Sequence, residues 1–409
     1  MRLLDAVDRA GRVKGRTAIL TGLLILAVGS TVQAAANAMA RSQDLQWSGV
    51  RLLLAHEDPW AVYLGPNGHA AFNMSQFPNY LPILYVLLVP IGWMGLTGAK
   101  ITWLICNVVF AVASGVLAAR FYGLGKWGTF AVACLMLAAT PTRMTIGNGQ
   151  MGLAVLFLWS VSLLSVRLTD GRSAVAGVSY LKFSFAPALF FYLLFRGGVR
   201  SVLMSALPNV AATLAVWIWL TGGRDLGEVG RLIFEPLIVS RTGYFPSGGE
   251  PNLMDAIQGM MLPFTSTPGW LNHPEIDRVT YPAAMLSCLV LMYFVMRRTA
   301  NASVQWQVAV MATASYALFK HHDYDSVVLL LPLCYALSLW RSSLAQGVVG
   351  SVGFLWYVER IFGRYLAELH WFYYVDFVLV MMVLALTYGL LRYENREVPE
   401  WSEVRVTRT

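Results

Sequence analysis

Charge is what this chain has least of. Only 13% of its 409 residues are Asp, Glu, Lys or Arg, against 57% hydrophobic, and its mean hydropathy is +0.57. Soluble domains carry about 25% charged residues, so an ordinary soluble protein is excluded and the chain reads as a polytopic membrane protein. Cysteine is nearly absent too: Cys106, Cys134, Cys288 and Cys334 all fall in apolar runs without a CxxC pair. They offer neither a disulfide framework nor a zinc site. No GxxxxGK[ST] or GxGxxG motif, repeat or low-complexity tract is present, so nothing supports nucleotide hydrolysis. The apolar runs are continuous rather than alternating, which points to helices and away from a closed barrel.

At about 20 residues per crossing, fewer where the bilayer thins, the runs predict twelve spans, near 17–40, 80–96, 99–119, 127–140, 148–168, 173–195, 201–221, 279–297, 303–320, 324–340, 344–358 and 371–391. The expected architecture is an all-α bundle of about twelve transmembrane helices. It divides into a tail (1–16), an N-terminal module (17–221) containing an outer loop (41–79), a second outer loop (222–278), C-terminal helices (279–391) and a tail (392–409). Met1 to Arg16 holds five basic residues against Asp5 and Asp8, as expected of a cytoplasmic tail followed by a retained anchor. The net charge of +8 is then mostly a topology signal rather than a nucleic-acid footprint. Both long loops are expected on the non-cytoplasmic side of the membrane.

Simple alternation puts Arg120 and Lys126 outside and Arg143 inside. The span at 127–140 is only about 21 Å long at 1.5 Å per residue. A broken or re-entrant helix between 80 and 195 would reverse those loops.

Polar residues at the mouth of the apolar runs are the candidates for chemistry. Asp44 opens the first outer loop, in a chain whose apolar runs contain almost no other acids. Helical spacing places Asp44, Ser48 and Arg51 on one face and Trp47, Val50 and Leu54 on another, as in a helix lying at the membrane interface. The bland alternative is a surface pairing of Asp44, Ser48 and Arg51. Asp58, before Pro59, either caps a turn or serves as an alternative base. Lys182 falls inside the predicted span 173–195, where an ammonium needs a partner or a wet cavity; Pro187 is expected to break that helix. It reads as a phosphate binder or as a snorkelling lysine.

The cluster Lys320-His-His-Asp-Tyr-Asp325 offers His322, with His321 in reserve, for a phosphate or sugar. A metal is not expected there, because no HxxxH spacing holds ligands on one face. Asn148 and Gln150 flank Gly149 at a predicted span start, where they cap a helix or face a cavity, and Arg143 joins them only if that loop is outside. The second loop holds Tyr244 to Asn252 and Trp270 to His273, aromatics and amides suited to sugars and equally common at interfaces.

Taken in order, Asp44-Leu-Gln-Trp47, Asp58-Pro59-Trp60, Tyr80-Leu-Pro82, Asn148-Gly-Gln150, Lys182 and His321-His322 resemble the family-87 glycosyltransferases over most of the chain. These are membrane enzymes of GT-C fold that include polyprenyl-phosphate-mannose-dependent mannosyltransferases. The resemblance implies inverting transfer of one sugar from a polyprenyl phosphate to a hydroxyl of a glycan or glycolipid acceptor on the periplasmic side, with an aspartate of the first outer loop as base and no cofactor. It places Asn148 and Gln150 near the substrate cavity; with Tyr80, and with Arg51 and Asn252 from the two outer loops, they are the candidate substrate contacts. The family aspartate is generally followed by an aromatic pair, and Trp47-Ser48 stands in its place here, which leaves the donor sugar open between a hexose such as mannose and a pentose.

The chemistry needs few parts. A base must reach the acceptor hydroxyl, at about 2.6–3.2 Å. The leaving phosphate needs cationic or hydrogen-bonding partners rather than a general acid, and Lys182, Arg143, His322 and His321 are available. Two rivals remain open: a carrier or flippase for a polyprenyl-linked glycan, with charged groups along a central path, and a periplasmic ligase built on a late loop.

Overall fold

The computed structural model describes residues 2–66, 68–73, 77–242, 274–319, 321–358 and 372–397. The described residues are helices, turns of helix and their connections, and they contain no strand. The helices are α1 (Arg2–Ala40), α2 (Trp47–Leu54), α3 (Pro59–Leu64), α4 (Pro82–Gly92), α5 (Leu96–Phe121), α6 (Gly125–Ala138), α7 (Thr140–Asn148), α8 (Gly152–Leu163), α9 (Asp170–Val178), α10 (Ala186–Thr221) and α11 (Gly227–Thr242). After them come α12 (Pro274–Thr299), α13 (Val304–Leu318), a 3₁₀ stretch (Asp323–Leu329), α14 (Leu330–Ser338), α15 (Ser343–Gly353) and α16 (Phe372–Glu397).

Among the described residues, three helical stretches are long and apolar enough to cross a membrane: Gly15–Ala40, Leu96–Phe121 and Phe183–Thr221. A fourth crossing results if α6 and α7, bent by 55° at Ala139, act as one broken span. Other predicted spans hold shorter apolar helices, among them Pro82–Gly92, Gly152–Leu163 and Ser343–Val358.

The predicted span 80–96 is the clearest departure. Its helix, α4, has 11 residues, about 16 Å against a hydrocarbon core of about 30 Å. Both of its ends are tied to the same short segment. The Tyr80 hydroxyl at its start meets Asp44, and the Met94 carbonyl beyond its end accepts from Trp47 Nε1 at 3.0 Å. Its apolar residues Ile83, Leu84, Tyr85, Leu88 and Ile91 are buried in protein, while Val86 and Leu87 are exposed.

With α4 lying along α2, the next loop reverses. Lys126 and Arg16 share one indole, at 5.4 and 4.5 Å from the ring of Trp127, so Lys126 lies at the same end of the bundle as the beginning of the apolar stretch of α1, Gly15–Ala40. Arg196, between the predicted spans 173–195 and 201–221, lies within a helix and donates to Val166 O (2.5 Å) and Gln307 Oε1 (3.1 Å), while Arg200 pairs with Asp170. Gly198 permits this: it holds a left-handed φ of +70° that kinks α10 between the predicted spans 173–195 and 201–221.

Candidate functional site

Asp44 does not sit on a helix. The chain leaves α1 and binds the end of α7, with Ser42 N–H donating to Gly147 O (3.2 Å) and Asp44 N–H to Asn148 O (2.9 Å). Asn148 thus ends a helix where the sequence predicted a start, and Gly149 follows it as the left-handed cap (φ +73°). A Cβ on Gly149 would lie 3.2 Å from Leu45 N, so glycine allows both the turn and the close approach of the Asp44 segment.

Helix α2 begins only at Trp47, because Gln46 before it is also left-handed (φ 64°). That strained backbone is held by three side-chain bonds. Gln46 Nε2 donates to Asp44 Oδ1 (2.7 Å) and Phe77 O (2.9 Å), and its Oε1 accepts from Tyr85 OH (2.9 Å). The expected face of Asp44, Ser48 and Arg51 does not form. Ser48 Oγ accepts from Asn73 N–H (2.9 Å), and the exposed Arg51 lies 5.7 Å from the Trp47 ring.

The Asp44 carboxylate is partly buried, with one oxygen on Gln46 and the other accepting from Tyr80 OH. Burial pushes its pKa from 3.8 up to about 6, against the opposing pull of the Tyr80 hydroxyl, the Lys182 charge, the Gln46 amide and His322. Gln150 Oε1 stands 3.4 Å from the same Tyr80 hydroxyl.

Lys182 lies in a break, with extended backbone (φ −108°, ψ 95°) between two 3₁₀ turns, and not within a continuous span. Pro187 sits in the first turn of α10, where its missing N–H costs nothing, and the break lies just ahead of it. The Lys182 ammonium donates to both oxygens of Asp325, at 2.6 and 2.7 Å, and lies 5.0 Å from the Tyr324 ring. Snorkelling to solvent is thereby replaced by a nearly buried ion pair. The Leu81 N–H points to Leu181 O at 3.5 Å, joining the Tyr80 segment to the Lys182 break.

His321 is buried against Phe185, with ring centroids 4.1 Å apart, and its Nδ1 lies 3.2 Å from Ser184 Oγ and 3.4 Å from Asp325 Oδ2. Burial lowers its pKa, partly offset by Asp325. His322 is exposed, its ring 4.9 Å from that of Tyr324, and its backbone N–H donates to Asp325 Oδ2 (3.3 Å).

The structure thus brings Asp44, Tyr80, Gln150, Lys182, His321 and His322 into one neighbourhood, with Asn148 joined through its backbone. Arg143 donates to Thr140 on its own helix (3.3 Å). Asp58 is engaged elsewhere: Oδ1 caps α3 by accepting from Trp60 and Ala61 N–H (2.8 and 3.0 Å), and Oδ2 pairs with Arg231 (2.5 Å). Asn252, with the aromatic and amide residues of 243–273, and Lys320 lie outside the described residues. Sequence reasoning missed Gln46 and Asp325 as parts of the site. Asp325 stood in the histidine cluster, but nothing in its spacing announced Lys182, 143 residues away.

Among comparisons with known proteins, residues 77–227 match the family model of glycosyltransferase family 87. No curated protein and no solved structure matches the chain. The matched stretch contains Tyr80, Asn148, Gln150 and Lys182, with Asp44 just before it and the histidine pair after it. The chain therefore joins helices able to span a membrane to the sequence signature of a family-87 glycosyltransferase.

Proposed function

We propose that this glycosyltransferase is an inverting membrane enzyme of GT-C type that moves one sugar, a hexose such as mannose or a pentose, from a polyprenyl phosphate to a hydroxyl of a lipid-linked or cell-envelope glycan. The observation that carries the reading is the Asp44 carboxylate, partly open, with its pKa raised to about 6 and within electrostatic reach of Lys182. A base near that value is mostly ionised at neutral pH and still basic enough to take a proton in the transition state.

Each carboxylate oxygen already accepts one hydrogen bond and keeps a further lone pair for the acceptor O–H. As that proton moves to Asp44, the acceptor oxygen bonds to the anomeric carbon, and the bond from that carbon to the phosphate oxygen breaks with its electron pair. The polyprenyl phosphate leaves as a more highly charged anion. Lys182 has three N–H donors, two of them on Asp325, and the third serves the departing phosphate. The site faces the periplasm of a bacterial inner membrane, on the side opposite Arg16 and Lys126, and requires no metal.

The test uses the full chain in detergent with labelled polyprenyl-phosphate mannose or pentose and a membrane lipid extract as acceptor. Wild type and Asp58→Asn transfer label, and Asp44→Asn does not. Transfer retained by Asp44→Asn and lost in Asp58→Asn would move the base to Asp58. Binding of the donor without transfer by wild type would favour a carrier.

A further inference from the structure

Asp325 has no role in the chemistry described above, yet it is the most heavily bonded carboxylate of the site. Fully buried, it receives Lys182 Nζ on both oxygens (2.6 and 2.7 Å), His322 N–H on Oδ2 (3.3 Å) and, 3.4 Å away on that same oxygen, His321 Nδ1. A side chain on Gly152, at the start of α8, would press on it, since a Cβ there would come to 3.0 Å from Oδ1. One carboxylate therefore gathers the break at Lys182, the turn after His322 and the head of α8.

Lys182 needs such a tether. Its backbone lies between two 3₁₀ turns, with no regular helix to fix the direction of its long side chain. Lysine is a flexible point charge, unlike the planar fork of arginine, so its aim depends on what holds it. Two contacts to one carboxylate leave the ammonium a single remaining donor direction, on the side away from Asp325.

We infer that Asp325 is a positioning residue that aims the free N–H of Lys182 at the phosphate of the donor lipid. This rests on the proposed polyprenyl-phosphate donor. In that reading the carboxylate has two opposed effects on an anion. It repels the phosphate through space, and it fixes the ammonium that binds it; the second effect outweighs the first.

The experiment compares binding of undecaprenyl phosphate and of uncharged undecaprenol to the full chain in detergent. Wild type is expected to prefer the phosphate by at least about tenfold, the size of one charge-assisted hydrogen bond. Asp325→Asn and Asp325→Glu lose that preference while binding undecaprenol as wild type does, which a collapsed protein would not do. In a Lys182→Met background, Asp325→Asn causes no further loss, because the carboxylate acts through the lysine. That double variant also replaces the whole ion pair, which proteins tolerate better than a buried charge left alone, and so covers the case in which Asp325→Asn fails to fold.

An undiminished or increased phosphate preference in Asp325→Asn and Asp325→Glu would overturn the inference and leave the donor reading standing. So would a further loss in the double variant. Absence of any phosphate preference in wild type would instead remove the donor reading itself, and the inference with it.

Discussion

Asp44→Asn is expected to give a protein that transfers no sugar and is nevertheless more stable than wild type at neutral pH. Burial raises the Asp44 pKa from 3.8 to about 6, and each unit corresponds to about 1.4 kcal/mol. Holding the charge above pH ~6 thus costs the folded state about 3 kcal/mol, or roughly 1–3 once the partial exposure of the carboxylate is discounted. The native state binds this proton more tightly than the unfolded chain does. Its stability from this group is therefore highest below about pH 4, falls between about pH 4 and 6, and stays reduced above that.

Asparagine fits the same place. Its Oδ1 keeps the bond from Gln46, and its Nδ2 donates to the Tyr80 hydroxyl, whose hydrogen turns toward Gln150 Oε1. The gain in the variant is expected at about pH 8 and vanishes below about pH 4, measured as thermal unfolding in one detergent at one scan rate. Transfer by wild type rises about tenfold between pH 5 and 7, with a midpoint near 6. A variant no more stable than wild type at pH 8, or more stable by the same amount at every pH, would show that burial does not penalise this charge.

Tyr80→Phe removes the leading hydrogen bond that holds the Asp44 pKa down, so the midpoint of the transfer–pH profile moves above 6. Gly149→Ala forces a side chain into a left-handed residue 3.2 Å from Leu45 N; unfolding measurements should show a loss of about 1–2 kcal/mol, and transfer should fall about 10²-fold as Asp44 shifts. Arg231→Met leaves Asp58, Glu228 and Glu235 without their shared cation, and a loss of about 1–3 kcal/mol by the same measurement is expected with the pH midpoint of transfer unchanged. In a chain with its four cysteines replaced, single cysteines at Arg16 and Lys126 should label from one side of the membrane and a cysteine at Ala55 from the other.

Residues singled out from the sequence gather in one place, but the backbone that gathers them was less legible. Lys182 and the histidine pair were visible because polar groups among apolar runs need a reason to be there, and the structure supplies one in Asp325. The helix expected through Asp44 was an inference from spacing, and spacing cannot register that bonds to Phe77 and Tyr85, 31 and 39 residues on, help to hold Gln46 in a left-handed conformation. The run at 80–96 was read as a crossing because hydropathy does not distinguish a surface covered by lipid from one covered by protein. Its partners, α2 and the Lys182 break, come from distant parts of the chain. The bend at Ala139 was better signalled, by a run too short to cross and by Pro141 in the first turn of the following helix.

The joint at Tyr80 and Leu81 has a last consequence. One residue touches Asp44 through its hydroxyl, and the next reaches Leu181, beside Lys182, through its backbone. The gap between the proposed proton acceptor and the proposed phosphate contact is thus gauged by two adjacent residues, like the fixed jaws of a caliper. Loops around it can change to admit another sugar or acceptor while that gap keeps its length.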